Sequence, residues 1–157
     1  MKQEFEDRVQ KAIDIFMEGY GCCQSVVAAF ADIYGVDDMV AKKISAGFGG
    51  GVGRMRMICG AVSGVVILTG LDCGQTEGKD KEGKAACYKL VQDLTACFKE
   101  RNGSIICAEL LAMNGCPVVK DTNIPDERNI EYYKKRPCVK KVESAARIFA
   151  EYLDKKL

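Results

Sequence analysis

The fold turns on one stretch: Gly47-Phe48-Gly49-Gly50-Gly51-Val52-Gly53-Arg54-Met55-Arg56-Met57-Ile58-Cys59-Gly60-Ala61-Val62-Ser63-Gly64-Val65-Val66-Ile67-Leu68. Five of its first seven residues are glycine, which no stable helix interior tolerates. That part must turn, or must bring backbone very close to something. From Gly60 onward the residues are apolar and small, and we read a buried helix. Gly60, Ala61 and Gly64 would let a second helix approach closely. The β-branched run Val65-Val66-Ile67 keeps a strand as the alternative reading.

Working outward, the flanking segments are helical in period. Phe5 to Met17 places Phe5, Val9, Ala12, Ile13, Phe16 and Met17 on one face, and Gly19 and Gly21 stop it. Cys22 to Tyr34 repeats the pattern through Val26, Val27, Phe30 and Ile33, and Gly35 ends it. Asp37 and Asp38 precede a short helix from Met39 to Ala46. Downstream, Asp72 to Glu82 reads as loop and Gly83 to Lys99 as an amphipathic helix. Ser104, an acceptable N-cap, opens a helix through Cys107, Leu110 and Leu111. Gly115-Cys116-Pro117 breaks it, Asp121 to Pro137 reads as irregular, and Cys138 to Tyr152 is the last helix. The expectation is one domain over residues 1–157. It is all-α and bundle-like, with five to seven helices and a Gly-rich loop before a buried central helix.

Composition narrows the chemistry. The chain has no histidine and nine cysteines among 157 residues, below the roughly 8–10% of a disulfide-stapled secreted scaffold. Without histidine there is no Ser-His-Asp triad, Cys-His pair, Cys2His2 finger, HExxH site or His-ligated haem. An all-thiolate metal or cluster site stays open. The net charge of +1 argues against nucleic-acid binding through bulk charge. The basic run Lys134-Lys135-Arg136 with Lys140-Lys141 reads as solvated surface, with a partner or anion patch as the alternative. The N-terminal residues carry no apolar signal region and no apolar stretch is long enough to span a membrane. The expected setting is cytoplasmic, where thiols are not held as structural disulfides by default.

The glycine run fails as a nucleotide loop. Arg54 stands where the dinucleotide fingerprint needs its last glycine, and no G-x-x-x-x-G-K-[ST] exists. Its backbone amides could instead form an anion nest, with Arg54 and Arg56 adding positive charge. Gly49, Gly50, Gly51, Gly53 and Arg54 are therefore candidate cofactor-binding residues, and tight structural packing is the competing account.

The cysteines lie at 22, 23, 59, 73, 87, 97, 107, 116 and 138, with no Cys-x-x-Cys. Any shared site must be assembled by the fold from distant segments. Cys22, Cys107 and Cys138 fall at or near predicted helix starts and Cys59 follows the glycine run. Such positions favour thiolate, and the four could converge on one metal or redox centre. Cys22 and Cys59 are the candidate nucleophiles. Cys87 and Cys97 sit on the apolar stripe of a long helix and read as core fillers. Cys23, Cys73 and Cys116 stay open.

The segments Gly19-Tyr-Gly-Cys22-Cys-Gln-Ser-Val26, Gly47 to Met55, Cys59-Gly-Ala-Val-Ser-Gly64, Ser104-Ile-Ile-Cys107-Ala-Glu-Leu110 and Cys138 together resemble the redox-active family named for its C…CGAxxG…C…C pattern. The resemblance runs from about Tyr20 to the last helix. It implies a redox protein whose family cysteines map onto Cys22, Cys59, Cys107 and Cys138, with an iron–sulfur centre as the implied cofactor. Members commonly carry alanine after the first cysteine, where this chain has Cys23. The absence of Cys-x-x-Cys-His means no haem role carries over.

The leading expectation is an iron–sulfur electron carrier serving a protein partner. A metal-free thiol–disulfide protein or sensor is the second reading. The third is a helical binding module whose cysteines pack or bind zinc. A homodimer is an expectation from exposed apolar surface on a helical domain.

Overall fold

A computed structural model describes all residues from Met1 to Leu157. It holds eight α-helices: α1 (Gln3–Met17), α2 (Cys22–Phe30), α3 (Asp38–Ser45), α4 (Gly60–Cys73), α5 (Lys81–Asn102), α6 (Cys107–Met113), α7 (Ile130–Lys135) and α8 (Cys138–Lys156). Short 3₁₀ turns follow α2 and α3. The expected all-helical bundle is present, but with one helix more than the five to seven expected. The addition is α7, inside the segment read as irregular. It buries none of its residues, so it has no apolar period to betray it. It forms because the Asn129 side chain accepts from the Tyr132 amide at 2.8 Å and caps the first turn.

The core explains the packing. α1 buries Phe5, Val9, Ala12, Ile15 and Phe16, and α8 buries Val142, Ala145, Ala146, Phe149 and Leu153. These stripes face each other and close over α2, whose residues from Ser25 to Phe30 are all buried. Phe30 meets Phe149 edge to face, with centroids 5.2 Å apart.

α4 is a helix, as expected, and it lies against α2. A methyl group at Gly64 would come within 2.8 Å of Val26 Cβ, and one at Gly60 within 3.2 Å of Cys22 Cβ. The small residues are therefore what allow these two helices to touch. α4 runs on to Cys73, past the expected start of the loop. α5 is more exposed than its stripe implied: only Leu94 and Phe98 are buried.

Candidate functional site

Four helices begin at one end of the molecule, and each begins with a cysteine. Cys22, Cys107 and Cys138 are the first residues of α2, α6 and α8, and Cys59 is the N-cap of α4. Local chemistry sets each start. At α2 the Gln24 side chain accepts from the Gly21 amide at 2.9 Å, a capping interaction that fixes Cys22 in the first turn. At α6 the cap is Ile106, two residues beyond the expected Ser104. Ser104 Oγ instead accepts from the Ile106 amide at 3.0 Å and donates to Glu109. An isolated antiparallel bridge joins Ile58 to Ile106. The Cys59 amide donates to Ile105 at 2.8 Å and the Cys107 amide to Met57 at 2.6 Å. This bridge holds the starts of α4 and α6 side by side.

The four thiols sense one another. Cys22 and Cys138 make a direct thiol–thiol contact. Cys59 lies within electrostatic reach of Cys22, Cys107 and Cys138. Their acidities diverge. The Cys138 contact and then burial hold the Cys22 proton well above the ordinary thiol range. Burial raises Cys59 to about 12, against the pull of the Ala61 and Val62 amides. Burial also raises Cys107, against the pull of Arg56. Cys138 goes the other way, down to about 6. The Cys22 contact is the main cause, helped by Tyr132, Arg136 and Arg128 against desolvation. Of the four, Cys138 is the thiol whose surroundings favour the thiolate.

The glycine run is a left-handed turn. Five successive residues, Gly50, Gly51, Val52, Gly53 and Arg54, have positive φ, and so does Arg56. For β-branched Val52 this is a strained conformation. Six amides turn inward: Val52, Gly53, Arg54, Met55, Arg56 and Met57 donate to the carbonyls of Phe48, Gly47, Gly49, Val52, Gly50 and Gly51. Gly53 and Arg54 therefore offer no free amide, and Gly49 contributes its carbonyl to the turn. The amides of Gly50 and Gly51 donate to no protein atom. Gly51 is buried against Cys107: a methyl group there would stand 2.6 Å from Cys107 Cβ.

The turn also aims Arg56 inward. Its guanidinium is 5% exposed. Nη1 lies 3.7 Å from Cys107 Sγ and Nε donates to the Val119 carbonyl at 3.1 Å. Nη2 is buried with no hydrogen-bond partner. Arg54 and Arg136 both donate to Asp126, at 3.1 and 2.7 Å. Arg128 donates to the carbonyls of Phe16 and Tyr20 and stacks 4.2 Å from the Phe16 centroid. That contact pins the segment leading into Cys22. Lys141 donates to Asn102 at 3.1 Å and lies within reach of Cys59 and Cys138.

Arg128 and Tyr132 had no signal in the sequence, since they come from the segment read as irregular, and Arg136 stood out only as part of the basic run. The basic run divides: Lys134, Lys135 and Lys140 are solvated as expected, while Arg136 and Lys141 are half-buried at the site.

The other cysteines sort by place. Cys23 is fully buried on α2 and raised to about 12 by desolvation. Cys116 is half-buried and its thiol donates to the Lys135 carbonyl at 3.1 Å. Cys97 is half-buried against the core, and Cys87 lies outside it and meets Cys73 instead. All nine are free thiols. No group of three or more Cys, Asp or Glu side chains stands ready-arranged for a metal ion.

Comparison with known proteins agrees with the motif reading. The family described as "Putative redox-active protein (C_GCAxxG_C_C)" matches residues 20–152, most of the chain, and the chain belongs to it. No curated protein and no solved structure gives a significant match.

Proposed function

We propose that this family member is an electron carrier in which Cys22, Cys59, Cys107 and Cys138 hold an iron–sulfur cluster and serve a protein redox partner. The observation that carries this reading is the convergence of four helix-start thiols within a ring of cations. Arg56, Arg128, Arg136 and Lys141 lie within electrostatic reach of them, and Asp126 alone pairs with the guanidinium groups of Arg54, Arg56 and Arg136.

The donor set suits such a group. It is all sulfur, which selects soft metals. Nη1 of Arg56 lies against Cys107, while its buried Nη2 has no hydrogen-bond partner and only a 3.9 Å approach to Asp126, so a further anionic neighbour would satisfy it. Gly51 and Gly60 leave space that any side chain would take from Cys107 and Cys22. The thiols must turn to bind, and Cys22 and Cys138 must release each other. When bound, the cluster would supply one-electron chemistry. The chain's residues would do the rest. The thiolates bind, Arg56 and the Gly50 and Gly51 amides offset negative charge, and the burial of Cys59 limits access of water.

Anaerobic purification and reconstitution test the reading. Iron and acid-labile sulfide should be retained together with visible absorption, and alanine at any of the four positions should abolish both. Less than about 0.1 iron per chain after reconstitution would overturn it. Bound zinc with no colour would favour the redox-silent variant.

A second reading has its own support in the Cys22–Cys138 contact. One thiol is depressed and the other lies against it, as in an exchanging dithiol. Cys138 would attack a disulfide substrate, and Cys22 would resolve the mixed disulfide, passing two electrons to the released thiols. A Cys22–Cys138 linked peptide in the oxidised protein is its signature.

A further inference from the structure

One helix turns its large apolar side chains outward. α3 buries only the small residues Ala41 and Ser45, and leaves Met39, Val40 and Ile44 at 63%, 47% and 47% exposure. The 3₁₀ turn after it adds Phe48 at 36%. Single exposed hydrophobic residues need no explanation. Here four fall between positions 39 and 48 while the small residues face inward, which reverses the pattern that packing within the chain selects. Such a strip marks an interaction surface. Beside it, between α3 and the start of α2, lies a shallow recess of about 350 Å³ walled by Tyr20, Gln24, Met39, Lys42 and Lys43.

The charges on this face decide what covers it. α3 starts on Asp37 and Asp38 and carries Lys42 and Lys43 in its last turn. Two charges of each sign exert no net pull on an acidic or a basic partner. They are self-complementary instead: a copy turned about a two-fold axis lays its α3 antiparallel, and each acidic start then meets the other's basic end. The groups for this are free. Lys43 is exposed and makes no ion pair within the chain. Asp38 holds Lys42 at 2.8 Å through Oδ2 alone, and its side chain stays 60% exposed.

We propose that the α3 face is the interface of a homodimer, in which two copies of this helix pack antiparallel, Met39, Val40 and Ile44 fill the seam, and Lys43 of each copy reaches Asp38 of the other. The strip is small, so the association is weak, with a Kd of about 10–100 µM. The interface adjoins the four-thiol centre without using its residues. Phe48 leads into the glycine turn, and a methyl group at Gly60 would stand 3.0 Å from the Phe48 carbonyl oxygen. With the helices antiparallel, the two centres lie toward opposite ends of the seam. The dimer stands or falls independently of what the thiols hold.

The test is sedimentation velocity of the full chain, reduced and metal-free, from about 5 to about 500 µM. The expected result is a monomer that becomes a dimer across this range. Met39→Glu places a charge in the seam at an exposed position where a first helical turn favours it. It should raise the Kd at least about tenfold and keep the wild-type helical circular dichroism. Lys43→Glu and Asp38→Lys should each weaken the dimer about tenfold, because each sets like charges against one another at both ends of the seam. Mixing those two variants in equal amounts should restore a dimer near the wild-type Kd, because each end then holds one charge of each sign. A monomer at every concentration, or a dimer that Met39→Glu leaves intact, would overturn the proposal. Charge variants that dimerise as well as wild type, or that mixing does not rescue, would overturn it too.

Discussion

Replacing Gly51 by alanine, with Gly53→Ala beside it, tests how the left-handed turn serves Cys107. Both glycines have positive φ, +72° and +55°, so an alanine at either must adopt left-handed backbone at about 1 kcal/mol. Gly53 has nothing within 4 Å of the added methyl group, whereas at Gly51 the methyl would lie 2.6 Å from Cys107 Cβ, 2.7 Å from the Met57 nitrogen and 2.8 Å from Arg56 Cα. Two of those three atoms are backbone and cannot swing away. Relieving the overlap moves the turn itself, at roughly 2 kcal/mol more. The totals are about 3 kcal/mol for Gly51→Ala and about 1 kcal/mol for Gly53→Ala. With a urea slope of about 2 kcal/mol/M, the midpoints should fall by about 1.5 M and about 0.5 M. Urea unfolding followed by circular dichroism, with equal slopes for the three proteins, measures both. Equal drops, or the larger drop at Gly53, would refute the close approach between the turn and Cys107.

Other perturbations reach the same site. Because the folded Cys138 value, about 6, lies below the ordinary 9.0, its contribution is full above pH 9 and is lost as pH falls through 6. The buried thiols Cys23 and Cys59, raised to about 12, contribute fully below pH 9 and lose that contribution as pH rises. The stability gap between wild type and Cys138→Ser in the metal-free protein should therefore widen from pH 6 to 9; urea midpoints showing a flat or narrowing gap would contradict the assignment. Arg56→Met removes the cation that pulls Cys107 down, so alkylation of Cys107 at pH 7 should slow, and an unchanged or faster rate by peptide mass spectrometry counts against the contact. Gly64→Ala, facing Val26 Cβ at 2.8 Å, should lower stability by about 2 kcal/mol, while Gly70→Ala in open space should raise it by about 0.5–1 kcal/mol; the reverse order in thermal melts would remove the α2–α4 close approach. Zinc binding at pH 7 should release about three protons, from Cys22, Cys59 and Cys107, since Cys138 is already ionised; calorimetry in buffers of different ionisation enthalpy reads that number, and release near zero would speak against thiolate ligation.

The sequence carried what periodicity and glycine can carry. Seven of the helices were legible because each buries a stripe or starts at a break. The small residues of α4 correctly pointed to a helix pressed against a neighbour. The four cysteines could be grouped because a helix start leaves a local mark: a glycine, a proline or a cap. α7 left no such mark. None of its six residues is fully buried, and what holds the segment is long-range, with Tyr132 and Tyr133 packed against the core and Arg128 reaching back to Phe16 and Tyr20. For the same reason Arg128, Tyr132 and Arg136 could not be assigned to the site. The direction of the glycine-run amides was equally hidden, since it depends on the hand of the turn. Cys87 looked like a core filler by period alone, and only the exposure of α5 shows otherwise.

The cations give the clearest physical reason for a thiolate centre at this end of the bundle. Three guanidinium groups converge on the single carboxylate of Asp126, and the Arg56 Nη2 that approaches it at 3.9 Å is buried without a hydrogen bond, which costs about 1–3 kcal/mol if nothing meets it. Left alone, such an arrangement would be a fault in the fold. Beside Cys107, and within reach of Cys138, it becomes complementary once sulfur carries negative charge. In the metal-free chain the surroundings favour thiolate at Cys138 alone, because contact with Cys138 raises Cys22 and burial raises Cys59 and Cys107. A soft cation that displaces their protons would supply the missing negative sulfurs without leaving their charge unbalanced. The histidine-free composition fits the same physics: the site needs fixed positive charge and ionisable sulfur, and neither task requires a group that titrates near neutral pH.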